Sequence, residues 1–151
     1  MSRDIKFRVW DKTSDSMLYQ DDFERVELDT KNKMVTLIAE EESDKSHYVL
    51  DYEEGIEAEI MQYTGSKDIK GIEVYEGDII PFHLDSNVKG VVKFGEYTDW
   101  NCKRPTQHIG FYVDFTGEHK RINRKDLGYW VEVSYVIGNI YENPELLERK
   151  N

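Results

Sequence analysis

The chain has 151 residues, a mass of 17.9 kDa, a formal net charge of -11 and a single cysteine. This length predicts one domain or two small ones, and one cysteine excludes a disulfide framework or a zinc site made of several thiolates. No apolar run reaches the roughly 18 residues of a membrane span, and the start lacks a signal-peptide pattern, so we expect a cytoplasmic protein without membrane contact.

The first half of the chain alternates apolar and polar residues with a period of two, as half-buried strands do. The run from Ile5 to Trp10 is the clearest case. The same reasoning predicts further strands at 17–19, 24–29, 34–39 and 48–52. A hairpin turn is predicted at 30–33 and a charged loop at 40–46. The sequence of residues 53–61 fits either a helix or a strand.

The second half also favours strands. They are predicted at 72–75, 79–82, 88–94, 109–115 and 130–141. Glu76-Gly77-Asp78 is interpreted as a tight reversal, Pro81 restricts its strand to an edge or a bulge, and Gly90 is interpreted as a bulge. Asn143 and Pro144 predict the start of a short C-terminal helix.

These elements predict a mainly β protein. We expect an N-terminal β subdomain over 1–62, and over 63–151 a small SH3-like barrel subdomain that ends in the short helix. A small closed or half-closed barrel is favoured because closure hides the edges of short strands. The two parts are expected to pack as one globular unit.

The negative charge is unevenly distributed. Residues 1–75 carry a net charge of -9 and residues 76–151 a net charge of -2. An acidic protein repels nucleic acid at long range, but the segment 119–125 carries four positive charges. It is either a solvated loop or, with nearby aromatic residues, a contact for single-stranded nucleic acid. The residues of that possible contact are Lys103, Arg104, Tyr112, Lys120, Arg121, Arg124 and Lys125.

The aromatic residues near this segment have a second interpretation. If Phe111, Val113 and Phe115 face inward to fill a barrel, only Tyr112 needs to face outward. The sequence favours this filling role over a role in binding.

Sequence patterns of catalysis are missing. The chain has no phosphate-binding loop, dinucleotide-binding turn, zinc-protease motif or nucleophile elbow. The spacing of Cys102 and His108 fits no zinc site, and Cys102 is interpreted as an ordinary loop cysteine. We therefore expect no catalytic residue, no metal, no cofactor and no enzymatic activity.

Three segments form a recognisable set: DIKFRVWD at 4–11, MQYTGSKDIKGIEVYEGDII at 61–80 and VIGNIYENPELL at 136–147. Their order and spacing resemble the YopX family of phage and prophage proteins over essentially the whole chain, with Ser66 where the family usually has Leu. The resemblance implies a mostly β fold with an SH3-like barrel in the C-terminal part, and no activity to carry over.

The resemblance singles out a motif of turn and core residues whose composition indicates a structural role. Its residues are Tyr63, Thr64, Gly65, Asp68, Gly71, Tyr75, Glu76, Gly77 and Asp78.

Three functions remain open. The first is a non-enzymatic phage or prophage accessory protein that acts through protein–protein contacts, as a homo-oligomer or with a host or phage protein. The second is a nucleic-acid-binding module that uses the segment 119–125. The third is an acidic decoy that mimics DNA. We favour the first, because no catalytic pattern is present and the acidic charge opposes contact with nucleic acid.

Overall fold

Strands form most of the structure, which confirms the predicted mainly β class. The computed structural model describes residues 4–41, 44–99, 104–115, 122 and 124–148. The chain divides between Gln62 and Tyr63 into an N-terminal and a C-terminal unit.

The N-terminal unit contains two antiparallel sheets. Their strands are β1 (Phe7–Asp11), β2 (Ser16–Tyr19), β3 (Arg25–Asp29), β4 (Met34–Glu41), β5 (Asp44–Asp51) and the first half of β6 (Ala58–Lys67). In one sheet β1 lies between β2 and β6, and in the other β4 lies between β3 and β5. Apolar side chains from both sheets form a core of Val9, Val35, Leu37, Leu50 and Ala58.

The structure confirms the turn predicted in this unit but not the loop. The hairpin turn at 30–33 is confirmed, and the Asp29 carboxylate accepts hydrogen bonds from the backbone N–H groups of Lys31 and Asn32, both at 3.1 Å. The expected loop at 40–46 is wrong, because β4 and β5 keep pairing as far as Glu41 and Asp44. Pairing uses backbone groups, so a charged sequence does not end it. The open segment 53–61 becomes a 3₁₀ turn followed by the start of β6.

The C-terminal unit contains the second half of β6, a four-stranded sheet and one α-helix among its described residues. Its further elements are β7 (Glu73–Tyr75), β8 (Asp78–Phe82), β9 (Asp85–Asp99), β10 (Thr106–Asp114), α1 (Leu127–Val133), β11 (Gly138–Asn139) and a 3₁₀ helix (Pro144–Leu147). The antiparallel sheet has the order β10–β9–β8–β11, and β7 pairs with β6. The short C-terminal helix is therefore present, as one 3₁₀ turn.

This sheet is curled into a half-barrel. Its outer strands are β10 and β11, and among the described residues no ladder joins them. The half-closed form of the predicted barrel is thus present, and its SH3-like detail stays a prediction.

The core of the C-terminal unit is built around Trp130, of which 1% is exposed. Its indole ring lies 4.7 Å from the ring of Phe115 and 5.7 Å from that of Phe82, and its N–H donates to the carbonyl of Arg124 at 2.9 Å. The other buried members of this core are Val74, Ile80, Val88, Val92, Val113, Ile122 and Leu127.

The predicted strand 130–141 is wrong. Its first part lies in α1, and only Gly138–Asn139 form a strand. The Asp126 side chain accepts the N–H of Tyr129 at 3.2 Å, which caps the helix, and Leu127 and Trp130 then face the core from one side. Capping and burial outweigh the strand preference of the β-branched and aromatic residues in this segment.

Gly90 is not a bulge, since it pairs in regular register with Ile80. A β-carbon there would lie 2.5 Å from Cγ1 of Val113, so the position is glycine because of close packing. The register instead shifts between Pro81 and Phe82, which confirms the irregularity predicted at the proline.

Candidate functional site

The family motif contains two buried carboxylates, and the first is Asp68. One of its oxygens accepts the N–H groups of Lys70 at 2.8 Å and Ile72 at 3.0 Å, and the other accepts the N–H of Val136 at 2.8 Å. Only 6% of Asp68 is exposed. Gly71, with φ of 80°, allows the turn to close. The carboxylate thus holds its own turn and a distant segment together.

The second carboxylate, Asp78, closes the reversal between β7 and β8. It accepts the N–H of Tyr75 at 2.7 Å, and its residue is 2% exposed. Gly77 adopts φ of 86° and donates its N–H to the carbonyl of Val92 at 2.8 Å. Glu76 is half-buried in the same reversal. This reversal therefore serves to connect two strands of the core.

The remaining motif residues lie on β6. Thr64 donates its hydroxyl to the carbonyl of Val74 at 2.7 Å, and Tyr63 packs its ring 5.5 Å from that of Tyr75. Gly65 has φ of 86°. The motif is thus a set of turns and buried contacts around β6, β7 and β8.

The possible nucleic-acid contact is only partly described. Lys103, Lys120 and Arg121 lie outside the described residues, and Arg104 is exposed just before β10. Tyr112 stacks its ring on Tyr97, 5.2 Å away and inclined by 23°.

The same Tyr97 ring stacks on His108 at 5.3 Å and 25°. We call this side of the β9–β10 hairpin, formed by Tyr97, His108 and Tyr112, the aromatic face. Burial raises the pKa of Tyr97 above its ordinary value of 10.0, and the carboxylates of Asp126 and Asp99 raise it further. The electrostatic surroundings of the aromatic face are thus partly acidic.

Two cations beside the aromatic face are paired with carboxylates. Lys93 Nζ lies 2.8 Å from Asp114, whose hydrogen bond raises the lysine pKa. Arg124 Nε lies 2.8 Å from Asp126, which raises the arginine pKa, and its guanidinium sits 4.5 Å above the ring of Tyr129. Lys125 is half-buried, and its carbonyl accepts the N–H of Val113. Part of the positive charge is therefore locally balanced.

The opposite side of the hairpin exposes apolar side chains. Phe94 is 57% exposed and Ile109 is 73% exposed. Phe94 lies directly opposite Phe111 in the ladder, with ring centroids 5.0 Å apart, and Ile109 is two residues from Phe111 and so on the same side. We call these three residues the apolar face.

Sequence reasoning missed the apolar face. It correctly placed Val113 and Phe115 in the core, whereas Phe111 is only half-buried beside the exposed Phe94. The ladder register that brings Phe94 and Phe111 together could not be derived from the alternation within either strand.

The N-terminal unit also contains a cleft. Its volume is about 610 Å³, and its apolar lining includes Phe7, Phe23 and Val26. Charged residues also line it: Asp21, Glu24 and Arg25. Among the described residues, no three His, Cys, Asp or Glu side chains are grouped as metal ligands would be. No helix in the described part of the chain is long and apolar enough to cross a membrane.

The sequence matches one known protein family along almost its whole length. A sequence model described as YopX protein matches residues 6–148. The chain belongs to the YopX family. This confirms the resemblance carried by the three sequence segments.

Two solved structures share the fold of this YopX-family chain. Protein EF1440 from Enterococcus faecalis is 26% identical with a TM-score of 0.50, and the match covers 97% of this chain and 100% of that one. YopX from Bacillus subtilis is 23% identical with a TM-score of 0.55, over 95% and 98% of the two chains. No curated protein matches the chain.

Proposed function

We propose that this YopX-family protein is a non-enzymatic interaction module that binds another protein chain through the apolar face of the β9–β10 hairpin. The observation that carries the proposal is the exposure of Phe94, at 57%, beside Ile109, at 73%. Large apolar side chains clustered on the surface lose contact with water when a partner covers them, and aromatic residues often dominate such interfaces.

The hydrogen bonds of the family motif support the non-enzymatic part. Asp68 and Asp78 are the buried carboxylates of the motif, and both accept backbone N–H groups of turns. A carboxylate used in this way stabilises a turn and is poorly placed to exchange protons with a substrate. The family resemblance further supports an accessory role for a phage or prophage in the cytoplasm of a bacterial host.

Site-specific photo-crosslinking in bacterial cells tests the proposal. A photoreactive phenylalanine analogue replaces Phe94 in one variant and Ile56 in a control variant, since Ile56 is 73% exposed in the N-terminal unit. We expect discrete crosslinked protein bands from position 94 and none of these bands from position 56. No protein adduct at position 94, or the same adducts at both positions, would contradict the proposal.

A nucleic-acid-binding module is the second candidate, supported by the stacked rings of Tyr97 and Tyr112 near Arg124 and Lys125. Such rings hold unpaired bases, and cations hold phosphates. The ion pairs Lys93–Asp114 and Arg124–Asp126 make this function less favourable, because these cations are already neutralised by carboxylates and attract phosphate groups less strongly.

Fluorescence anisotropy with short single-stranded DNA and RNA decides between the two. If the segment binds, affinity falls as salt rises and is lost when Arg124 and Lys125 become Glu. The matched control changes Lys31 and Lys33 to Glu, an equal change of charge at exposed positions of the N-terminal unit. Absence of binding at low salt would remove this candidate. The acidic-decoy hypothesis stays a prediction that the net charge of -11 alone supports.

A further inference from the structure

The cleft in the N-terminal unit is lined by residues at the start of β1 and on β3, and we call it the N-terminal cleft. Its volume of about 610 Å³ lies within the range of pockets that bind ligands. The 3₁₀ turn Gln20–Asp22 contributes to the lining between these two strands. The apolar lining residues are Ile5, Phe7, Phe23, Val26 and Leu28. The cleft is therefore large enough to receive a large apolar side chain.

Regular structure holds the walls of the N-terminal cleft in place. Phe7 belongs to β1, which pairs with β2 and β6, and Val26 and Leu28 belong to β3, which pairs with β4. The backbone N–H of Phe7 donates to Oε1 of Gln20 at 3.3 Å, which joins the turn to β1. Phe23 and Val26 also pack against the core of this unit. A ligand therefore meets a largely preformed surface.

Apolar side chains at the rim of the cleft are exposed to water. Ile5 is 61% exposed and Leu28 is 39% exposed, whereas Phe7, Phe23 and Val26 are half-buried. A small molecule held inside the cleft would leave Ile5 and Leu28 in water. A chain segment that lies across the opening covers both and removes more apolar surface from water. The rim therefore favours a peptide segment as the occupant.

The N-terminal unit carries almost all of the negative charge of the chain. Residues 4–62 contain seven Lys and Arg against seventeen Asp and Glu, a net charge of -10 out of -11. The segments 5–7 and 20–28, which form the cleft, contain four acidic residues and two basic ones.

Both basic residues of these segments lie close to a carboxylate. Lys6 Nζ lies 3.9 Å from Asp21, and Arg25 Nε lies 2.9 Å from Glu27. The remaining acidic residues of the segments are Asp22 and Glu24, both exposed. The surroundings of the cleft therefore attract a cationic partner and repel an anionic one such as nucleic acid.

We propose that the N-terminal cleft binds a basic segment of another protein. An aliphatic or aromatic side chain of that segment fills the cleft, and Lys or Arg side chains beside it face Asp21, Asp22 and Glu24. The chain's own basic segment 119–125 cannot supply the apolar side chain, because its one apolar residue, Ile122, is 3% exposed in the core of the C-terminal unit. The cleft is a different surface from the apolar face, so the inference goes beyond the proposed function.

Selection from a display library of short random peptides, with the full chain as bait, tests the chemistry of the occupant. We expect the enriched peptides to carry a large apolar residue flanked by Lys or Arg. Fluorescence anisotropy with one labelled peptide of this set then measures the dissociation constant, which should rise with salt because the attraction is screened. Failure to enrich any peptide, or enrichment of acidic or uncharged peptides, would overturn the proposal.

A substitution at the rim tests where that peptide binds. Ile5→Lys should raise its dissociation constant by more than about tenfold, because a like charge replaces an apolar contact. The control is Ile56→Lys, which makes the same change at a position that is 73% exposed in the same unit and does not line the cleft. Equal effects of the two substitutions would overturn the assignment to the cleft.

A pair of neutral substitutions tests the role of the carboxylates. Asp21→Asn combined with Asp22→Asn should weaken binding of the peptide and reduce its salt dependence. The control combines Glu53→Gln with Glu54→Gln, an equal loss of charge at exposed positions of the same unit that do not line the cleft. If the control weakened binding as much, the attraction would be a property of the whole unit and the proposed contact would be wrong.

Methyl NMR of the isotope-labelled chain separates this inference from the proposed function. We expect the peptide to shift the resonances of Ile5 and Leu28 and to leave those of Ile56 and Ile109 unchanged. Shifts at Ile109 without shifts at Ile5 would overturn the inference and leave the apolar face as the binding surface.

Discussion

The Asp68 carboxylate accepts the backbone N–H of Val136 at 2.8 Å, although 68 positions separate the two residues. The same side chain also accepts two N–H groups of its own turn. One buried carboxylate therefore joins the motif turn to the segment between α1 and β11. This contact explains why the motif and the C-terminal segment belong to one structural unit.

Asp68→Ala should lower the free energy of unfolding by about 2–4 kcal/mol, because it leaves buried N–H groups without an acceptor. Urea denaturation followed by circular dichroism measures the loss. Asp29→Ala is the control, since Asp29 also accepts two turn N–H groups but is exposed, so water can replace it. Equal losses in the two variants would contradict the role assigned to burial.

Gly90→Ala should destabilise the C-terminal unit by about 1–3 kcal/mol, because its β-carbon would lie 2.5 Å from Val113 and 2.9 Å from the ring of Phe115. The thermal midpoint and urea midpoint should both fall. Gly110→Ala in the adjoining strand β10 is the comparison, since a β-carbon there meets no atom within 4 Å. If Gly90→Ala were as stable as Gly110→Ala, packing would not explain the glycine.

Asp11→Asn should remove part of the dependence of stability on acid pH. Burial by itself raises the Asp11 pKa, but hydrogen bonds from Thr13 and Ser14 outweigh it and leave the pKa below 3.8. A lowered folded-state pKa stabilises the fold above the unfolded value, and this contribution disappears as pH falls through the folded value.

The difference in unfolding free energy between the wild type and Asp11→Asn should therefore be largest near pH 7 and shrink below about pH 4. Denaturant titrations at several pH values measure it. A difference that grows on acidification would have the wrong sign for this explanation.

Asp126→Asn should lower the pKa of Tyr97 towards 10.0 without reaching it, because burial is the larger cause of the shift and stays. The amide oxygen can still cap α1 by accepting the N–H of Tyr129. NMR of tyrosine labelled at the ring Cζ follows the titration. Glu96→Gln serves as the comparison, since Glu96 faces Ile109 on the other side of the hairpin, and it should leave the Tyr97 pKa unchanged.

The alternation of apolar and polar residues was enough to predict most strands, because a strand with one buried side has apolar residues at every second position. It failed at the start of the predicted strand 130–141, where β-branched and aromatic residues indicate a strand but residues 130–133 belong to α1. The signals for a helix were present in Asp126 as N-cap and in the three-residue spacing of Leu127 and Trp130. These two signals are weaker than the alternation of apolar and polar residues. The burial of Trp130 in the core, which decides for the helix, depends on contacts with distant segments.

The candidate interaction surface was less predictable than the fold. Tyr112 was expected to face away from Phe111, and it does, but its stacking on Tyr97 depends on the β9–β10 register. The exposure of Phe94 beside Phe111 likewise results from the register in which β9 pairs with β10. The register between two distant segments cannot be predicted from the residues of either segment alone.

The burial of Trp130 gives the C-terminal unit an optical probe of its own. The chain has three tryptophans, so Trp10→Phe with Trp100→Phe leaves this indole as the only strong emitter. Its emission should shift to longer wavelength when the rings of Phe82 and Phe115 separate from it and water enters. Comparing that signal with backbone circular dichroism in the same titration tells whether the N-terminal unit melts together with the C-terminal one.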